Sequence, residues 1–236
     1  MVRHSVAVFK KQIFDTVYNK ILLFQFLFYP LFTLLFLFSP AGVDQSKMTI
    51  VMLMSAMITG MAPIITINNI IQEDKRIGAL RMLILSNVKP FEYLVGVTFY
   101  ITCLSFVTSV FLGAIAGFSF FNFGLYLGGM LLGIIATVFL GSAMAGQAKN
   151  GASASLFVVI ISMMNGFVPI LATFYPAITN VTRFWYTQAI ADIIGDLYDG
   201  FYGNLPIRFL TILCNALFFF AFFVVSFKRN KLIDEK

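Results

Sequence analysis

The chain has 236 residues, 60% hydrophobic and 11% charged, with a mean hydropathy of +0.92 and a formal net charge of +6. A soluble domain is about half apolar and a quarter charged, so this composition excludes a soluble enzyme, a disordered chain and a disulfide scaffold. The apolar runs are continuous rather than alternating, the pattern of membrane helices and not of a transmembrane barrel.

In chain order, Val2, Val6, Phe9, Ile13 and Val17 share one helical face, with Lys11 and Asp15 opposite. This predicts an amphipathic helix over residues 1–20, lying on the membrane interface. Residues 21–38 and 48–71 are uncharged runs near the ~20 residues a span requires. A cleaved leader is the alternative for the first run, but Ser39-Pro40-Ala41 is a poor cleavage site and the charge balance favours a retained span. A charged segment follows, from Glu73 to Glu92. The long uncharged stretch after it suits two spans, 93–118 and 125–146, with a hairpin around Phe118 to Gly124. Runs at 154–175 and 207–227 complete six transmembrane helices in an all-α membrane protein with one transmembrane domain, 1–236.

Basic residues orient that layout. Arg3, Lys10, Lys11, Lys20, Lys75, Arg76, Arg81, Lys89, Lys149, Lys228, Arg229, Lys231 and Lys236 fall on one side, thirteen of the sixteen. Lys47, Arg183 and Arg208 fall on the other. The bias puts the thirteen, and both termini, in the cytoplasm. The basic residues sit in short segments between spans rather than in a soluble patch, which argues against nucleic acid.

Three polar features stand out. Between the second and third spans, Glu73, Asp74, Lys75, Arg76, Arg81, Lys89 and Glu92 accompany an apolar stripe of Leu80, Leu83 and Ile84, punctuated by Gly78 and Pro90. A short charged helix with such a stripe is shaped to dock into a partner's groove; a solvated positive-inside loop is the plainer alternative. Before the sixth span, Pro176 to Pro206 holds the aromatic cluster Phe184-Trp185-Tyr186. There Ile190, Ile193, Ile194, Leu197 and Phe201 share one face, and Asp192, Asp196 and Asp199 the other. That is an amphipathic helix lying flat on or dipping partly into the outer leaflet, with the aspartates as its solvated side or, in the alternative, an attractor of cations or a basic substrate. Within the spans, Asn68, Asn69, Asn165 and Asn215 are the polar residues of note. Gly60 and Pro63 interrupt the second span, Gly166 and Pro169 the fifth. Interhelical packing explains them, and so does a pathway lined by flexible side chains, with Met61, Asn68, Asn69, Met163, Met164, Asn165 and Phe167 as its candidates.

Chemistry is sparse. No G-x-x-x-x-G-K-[ST] loop is present. The one histidine, His4, permits no catalytic triad, and the two cysteines, Cys103 and Cys214, lie in apolar runs far from any zinc-like cluster. No Asp, Glu, Lys, Arg or His lies deep in a span, which argues against an ion-coupled carrier other than one that coordinates ions through carbonyls.

In order and topology the chain resembles the ABC-2-type membrane subunits of ATP-driven exporters. Two stretches carry the resemblance. Glu73, Gly78, Leu80 and Leu83, followed by Leu94 and Gly96, are similar to the family's E-x-x-x-x-G-x-L-x-x-L coupling segment. Asn165-Gly166-Phe167-Val168-Pro169, Tyr175-Pro176 and Phe184 to Ala189 are similar to its fifth span and re-entrant outer segment. Ala79 and Arg81 depart from the family's usual Thr and acidic residue, and the proline found just past its coupling helix is Asn87 here.

The resemblance implies a non-enzymatic permease whose cytoplasmic coupling helix, with Glu73, Asp74, Arg76, Gly78, Leu80, Arg81 and Leu83, docks on a separate ATP-binding subunit. Two such subunits bind the ATP and Mg, and a second permease copy or paralogue completes the path. Tyr175, Phe184, Trp185 and Tyr186 then stand at the outer gate. The expected substrate is a small amphiphile, drug, peptide or lipid, exported across a bacterial cell membrane. The rival is a non-catalytic immunity or scaffold protein that sequesters a peptide.

Overall fold

The computed structural model describes residues 2–18, 20–38, 47–147 and 151–229. Among these the chain forms ten helices and no strand. They are α1 (Val2–Tyr18), α2 (Lys20–Phe38), α3 (Lys47–Arg76), α4 (Ala79–Leu85), α5 (Pro90–Ala116), α6 (Phe120–Gln147), α7 (Gly151–Phe174), α8 (Pro176–Thr182), α9 (Tyr186–Asp199) and α10 (Leu205–Arg229). Helices α3, α5, α6, α7 and α10 are long and apolar enough to cross a membrane. The first of the six expected spans is helical too, but its apolar stretch, Leu22–Phe38, is shorter than those five. Closed helices are what hydrocarbon demands, since each satisfies its own backbone polar groups.

Helix α3 is the hub. It packs against α2, α5, α6, α7 and α9, and 78% of its most apolar stretch is buried, against 22% for α10. Ile58, Ile64, Ile67 and Ile71 of α3 meet Ile101, Ile134 and Ile190 in the core. Helix α10 lies against α6 through Phe139, Phe220 and Phe223.

Local chemistry sets the helix ends. The Glu92 carboxylate accepts the Lys89 N–H at 3.1 Å, and Pro90 opens α5 where its missing donor costs nothing. Gly117, at φ +75°, ends α5 with its N–H on the Gly113 and Ala114 carbonyls. The turn into α6 is therefore only Gly117 to Ser119, tighter than the hairpin expected over Phe118 to Gly124. Asn122 lies inside α6 because its side chain works across the bundle. Its Nδ2 donates to the Leu197 carbonyl at 3.2 Å, and its Oδ1 accepts the Tyr202 hydroxyl at 3.0 Å.

One amphipathic helix, α9, is oriented differently from expectation. The apolar face of α9 is turned into the bundle, with Ile190, Ile193, Ile194 and Leu197 buried, rather than into lipid. Phe201 lies beyond the helix end at Gly200 and is exposed. Helix α1 leaves Val6, Ile13 and Phe14 exposed; it docks on α5 through Ser5, Val8 and Thr16, and on α3 through Lys11 and Gln12. That docking stripe is mostly polar, so apolar periodicity does not reveal it.

Candidate functional site

Helix α3 continues past its apolar stretch to Arg76, so Glu73, Asp74, Lys75 and Arg76 occupy its last turns. They do not form one charged helix with Leu80 and Leu83, as the spacing suggests. The break is Gly78, at φ +72°, a conformation that costs a glycine nothing. Past the end of α4 at Leu85, Asn87 turns left-handed at φ 64°, with the Val88 N–H on the Leu83 carbonyl at 3.0 Å. This is the Schellman pattern, and Leu83 and Val88 pack together with the core beside it. Proline, fixed near φ −65°, is incompatible with this cap. Helix α4 and its flank thereby present Ile77, Met82 and Leu85, which are 55%, 68% and 80% exposed. The side chains of Leu80, Arg81 and Ile84 lie outside the described residues. Glu73 and Arg76 form an exposed bidentate pair at 2.7 and 3.0 Å, a contact of small energetic value.

Asp74 differs from its neighbour in being 3% exposed. Its carboxylate accepts Lys11 Nζ at 2.7 Å, the Tyr93 hydroxyl at 2.8 Å and Gln12 Nε2 at 3.4 Å. One side chain thus ties together α1, α3 and α5. Burial alone would lower the Lys11 ammonium, but hydrogen bonds and charge from Asp74 and Asp15 outweigh it and hold it above the ordinary lysine value. A second tie lies at the start of α5, where Glu92 meets His4 Nδ1 at 3.0 Å and its carbonyl accepts the Ser5 hydroxyl. Between the ties, Thr16 is hydrogen-bonded to Tyr100. Gly96 admits α1 closely: a Cβ there would sit 2.7 Å from the Val8 Cβ and 2.8 Å from the Ser5 carbonyl oxygen.

The pathway candidates are not gathered on one surface of the chain. Asn69 lines a cleft of about 200 Å³ beside Gln12, Asp15, Thr16 and Asp74. Asn68 is buried, and Phe167 half-buried. Met61 packs beneath Gly166. Met163 and Met164 are exposed on the outside of α7.

Asn165 is buried and fully engaged. Its Nδ2 donates to the Ile161 carbonyl at 2.8 Å, and its Oδ1 accepts Trp185 Nε1 at 3.0 Å. Its backbone carbonyl accepts the Thr187 hydroxyl at 2.8 Å. Asn215 of α10 holds the same turn by donating to the Phe184 carbonyl at 2.9 Å. Tyr186 is fully buried, edge-on to Phe219, whereas Tyr175 and Phe184 point outward.

Two of the three aspartates on α9 are half-buried beneath another helix. Arg208 of α10 reaches Asp192 at 2.7 Å and lies 3.8 Å from Asp196; only Asp199 is exposed. Burial raises Asp192 above the usual carboxylate value, with Gln188 and Arg208 pulling the other way. Asp196 is raised first by burial, opposed by Arg208 and reinforced by Asp192 and Asp199. A raised carboxylate favours the folded state fully below its unfolded value of about 4, and that benefit is lost as pH rises through the raised folded value. The expected result is a thermal midpoint that climbs as pH falls from neutral into weak acid. Asp192→Asn flattens that part of the profile; equal pH profiles for the two proteins would exclude this source.

Glu73, Asp74, Arg76, Gly78 and Leu83 are thus assembled at one end of the bundle, and Trp185, Tyr186 and Asn165 toward the other. The sequence did not point to Lys11, Gln12, Tyr93, Thr137 or Thr187 as partners. No curated protein matches the chain. A family model described as an ABC-2 family transporter protein matches residues 37–228, well over half of the 236 residues and nearly everything from α3 to the end of α10. On that match and this all-helical fold, the chain belongs to the ABC-2 family and is a multi-pass membrane subunit of a transporter.

Proposed function

We propose that the chain is the permease subunit of an ABC exporter, crossing the membrane six times with both termini on the ATPase side. A second copy or a paralogue faces it, with the path between them lined by α3 and α7. Two separate ATP-binding subunits hold ATP and Mg and dock on α4. The observation that carries this reading is the exposed apolar trio of Ile77, in the link from α3, and Met82 and Leu85 of α4, placed directly after the α3 turn that holds the buried Asp74 tie. Apolar side chains projecting from a short helix at the end of the bundle suit a groove on a partner. Because Asp74 binds α1, α3 and α5 together, a push on α4 is delivered to three helices at once. A small amphiphile, drug, peptide or lipid then leaves past Tyr175, Phe184, Trp185 and Tyr186.

Affinity purification of the tagged protein from its native membrane in mild detergent tests this. A P-loop ATPase is expected in near-stoichiometric amount. Met82→Glu and Leu85→Glu each forfeit roughly the transfer energy of one buried apolar side chain, so recovery should fall about tenfold or more. Unchanged recovery in both variants removes the docking assignment. Absence of any ATPase from the unaltered protein turns the reading to a scaffold that sequesters a peptide.

A further inference from the structure

Proline has no N–H, so a proline inside a helix leaves the carbonyl four residues earlier without its usual donor. In hydrocarbon such a carbonyl must find another. Pro63 frees the Thr59 carbonyl in α3, and Pro169 frees the Asn165 carbonyl in α7. Both are taken by threonine hydroxyls from other helices. The Thr137 hydroxyl of α6, 2.5 Å from the Thr59 carbonyl, shares its one proton between that carbonyl and the Gly133 carbonyl of its own helix at 2.8 Å, and Thr187 of α9 donates to the Asn165 carbonyl at 2.8 Å.

The two breaks also touch. A Cβ on Gly60 would lie 2.8 Å from the Cα and N of Gly166 and 2.9 Å from the Asn165 carbonyl carbon. The glycine following each freed carbonyl is therefore where α3 and α7 cross, backbone on backbone. The first turn of α9 touches both breaks. Thr187 holds the one in α7 directly, and the Tyr186 hydroxyl lies 3.1 Å from the Thr137 hydroxyl that holds the one in α3. Trp185, the single tryptophan of the chain, is hydrogen-bonded to the Asn165 side chain.

We propose that the Thr59–Pro63 and Asn165–Pro169 breaks form a paired hinge at the Gly60–Gly166 crossing, and that Tyr186 and Thr187 transmit its bending to the turn at residues 184–187. Helix kinks have such causes: a proline, and an exchangeable side-chain donor in place of the lost bond. A hydroxyl from another helix makes the bend of α7 depend on where α9 sits, and the reverse. Coupling between two positions is reciprocal, so motion of α3 and α7 driven from the α4 end is felt at Trp185. The link to nucleotide rests on the permease reading; the hinge itself does not.

Two readouts test it, with the assembled transporter in lipid nanodiscs. Spin labels at Phe157→Cys and Phe174→Cys, both exposed on α7, report its bend after Cys103→Ser and Cys214→Ser remove the native thiols. Trp185 emission, with the partner's tryptophans replaced by phenylalanine, reports the turn. Vanadate trapping should shift both. Pro169→Ala restores the backbone donor, so the label distances should narrow and cease to shift. Thr187→Val keeps the proline and the shape of the side chain but removes the hydroxyl. It should cut the Trp185 response about fivefold or more, the low end of ordinary intersite coupling, while ATP hydrolysis persists. Label distances insensitive to Pro169→Ala, or a full Trp185 response in Thr187→Val, overturn the proposal. If no ATPase assembles with the chain, the permease reading fails on its own. The hinge is then judged on the resting chain, where Pro169→Ala must still narrow the distance distribution.

Discussion

Asp74→Ala is expected to destabilise the protein by about 3 kcal/mol and to free α1. Removing one partner of a buried pair typically costs ~3–5 kcal/mol. The lower end applies because Lys11 is 29% exposed and keeps Asp15 at 3.0 Å as a second partner. That figure includes the acceptor lost to Tyr93 and Gln12, both free to turn toward other partners once α1 loosens. For a chain of this size the thermal midpoint should fall by about 6–12 °C. Trypsin should then reach Lys10 and Lys11 in the folded protein. Lys11→Met should cost less, and the double variant less than the sum, since both report one contact. The pH dependence has a definite sign. The Lys11 value is raised on folding, so its contribution is complete below the unfolded value of about 10.4 and is lost as pH rises through the folded one. The difference between Lys11→Met and the unaltered protein should be flat across neutral pH and shrink only in alkali. A shift in Asp74→Ala within the ~0.5 kcal/mol typical of surface changes would show that the tie holds nothing.

In sequence Asp74 cannot be told from Glu73. Both end an apolar run, and both read as docking charges. Burial separates them: Asp74 is enclosed by α1 and α5, whereas Glu73 pairs in solvent with Arg76. Its partners Lys11 and Tyr93 lie 63 and 19 residues away, beyond any local pattern. Likewise Asp192 and Asp196 make a helical stripe that looks solvated until Arg208 of another helix covers it. Run length and charge marked the long apolar helices well, because hydrocarbon imposes those features on each segment separately. Asn122, read as a turn, is a clamp on α9. The prolines fall between these cases. Pro63 and Pro169 announce freed carbonyls at Thr59 and Asn165 by chemistry alone. That Thr137 and Thr187 would fill them depends on packing between helices.

Gly60→Ala should be among the most damaging single-methyl changes in the spans. The added carbon would meet Gly166 and Asn165 backbone at 2.8–2.9 Å, and backbone cannot rotate away. The α3 and α7 helices must part, at the ~1–3 kcal/mol usual for overpacking. Parting them also strains the Thr187 bond to the Asn165 carbonyl, so the cost belongs at the upper end of that range. Gly133→Ala meets the Ile190 Cδ1 at 2.3 Å, a nominally worse overlap, but that atom is the free end of a side chain and a rotamer change relieves it. Gly124→Ala meets nothing within 4 Å on α6 and should gain roughly 0.5–1 kcal/mol from helix propensity. Thermal unfolding should therefore rank Gly124→Ala above the unaltered protein, then Gly133→Ala, then Gly60→Ala. The ranking discriminates because overlap distance alone predicts the reverse order for the last two. If Gly133→Ala proves the worse, the crossing of α3 and α7 is pliable. Gly60 would then be there for helix bending alone, and close approach of the two backbones would not be what holds the spans together.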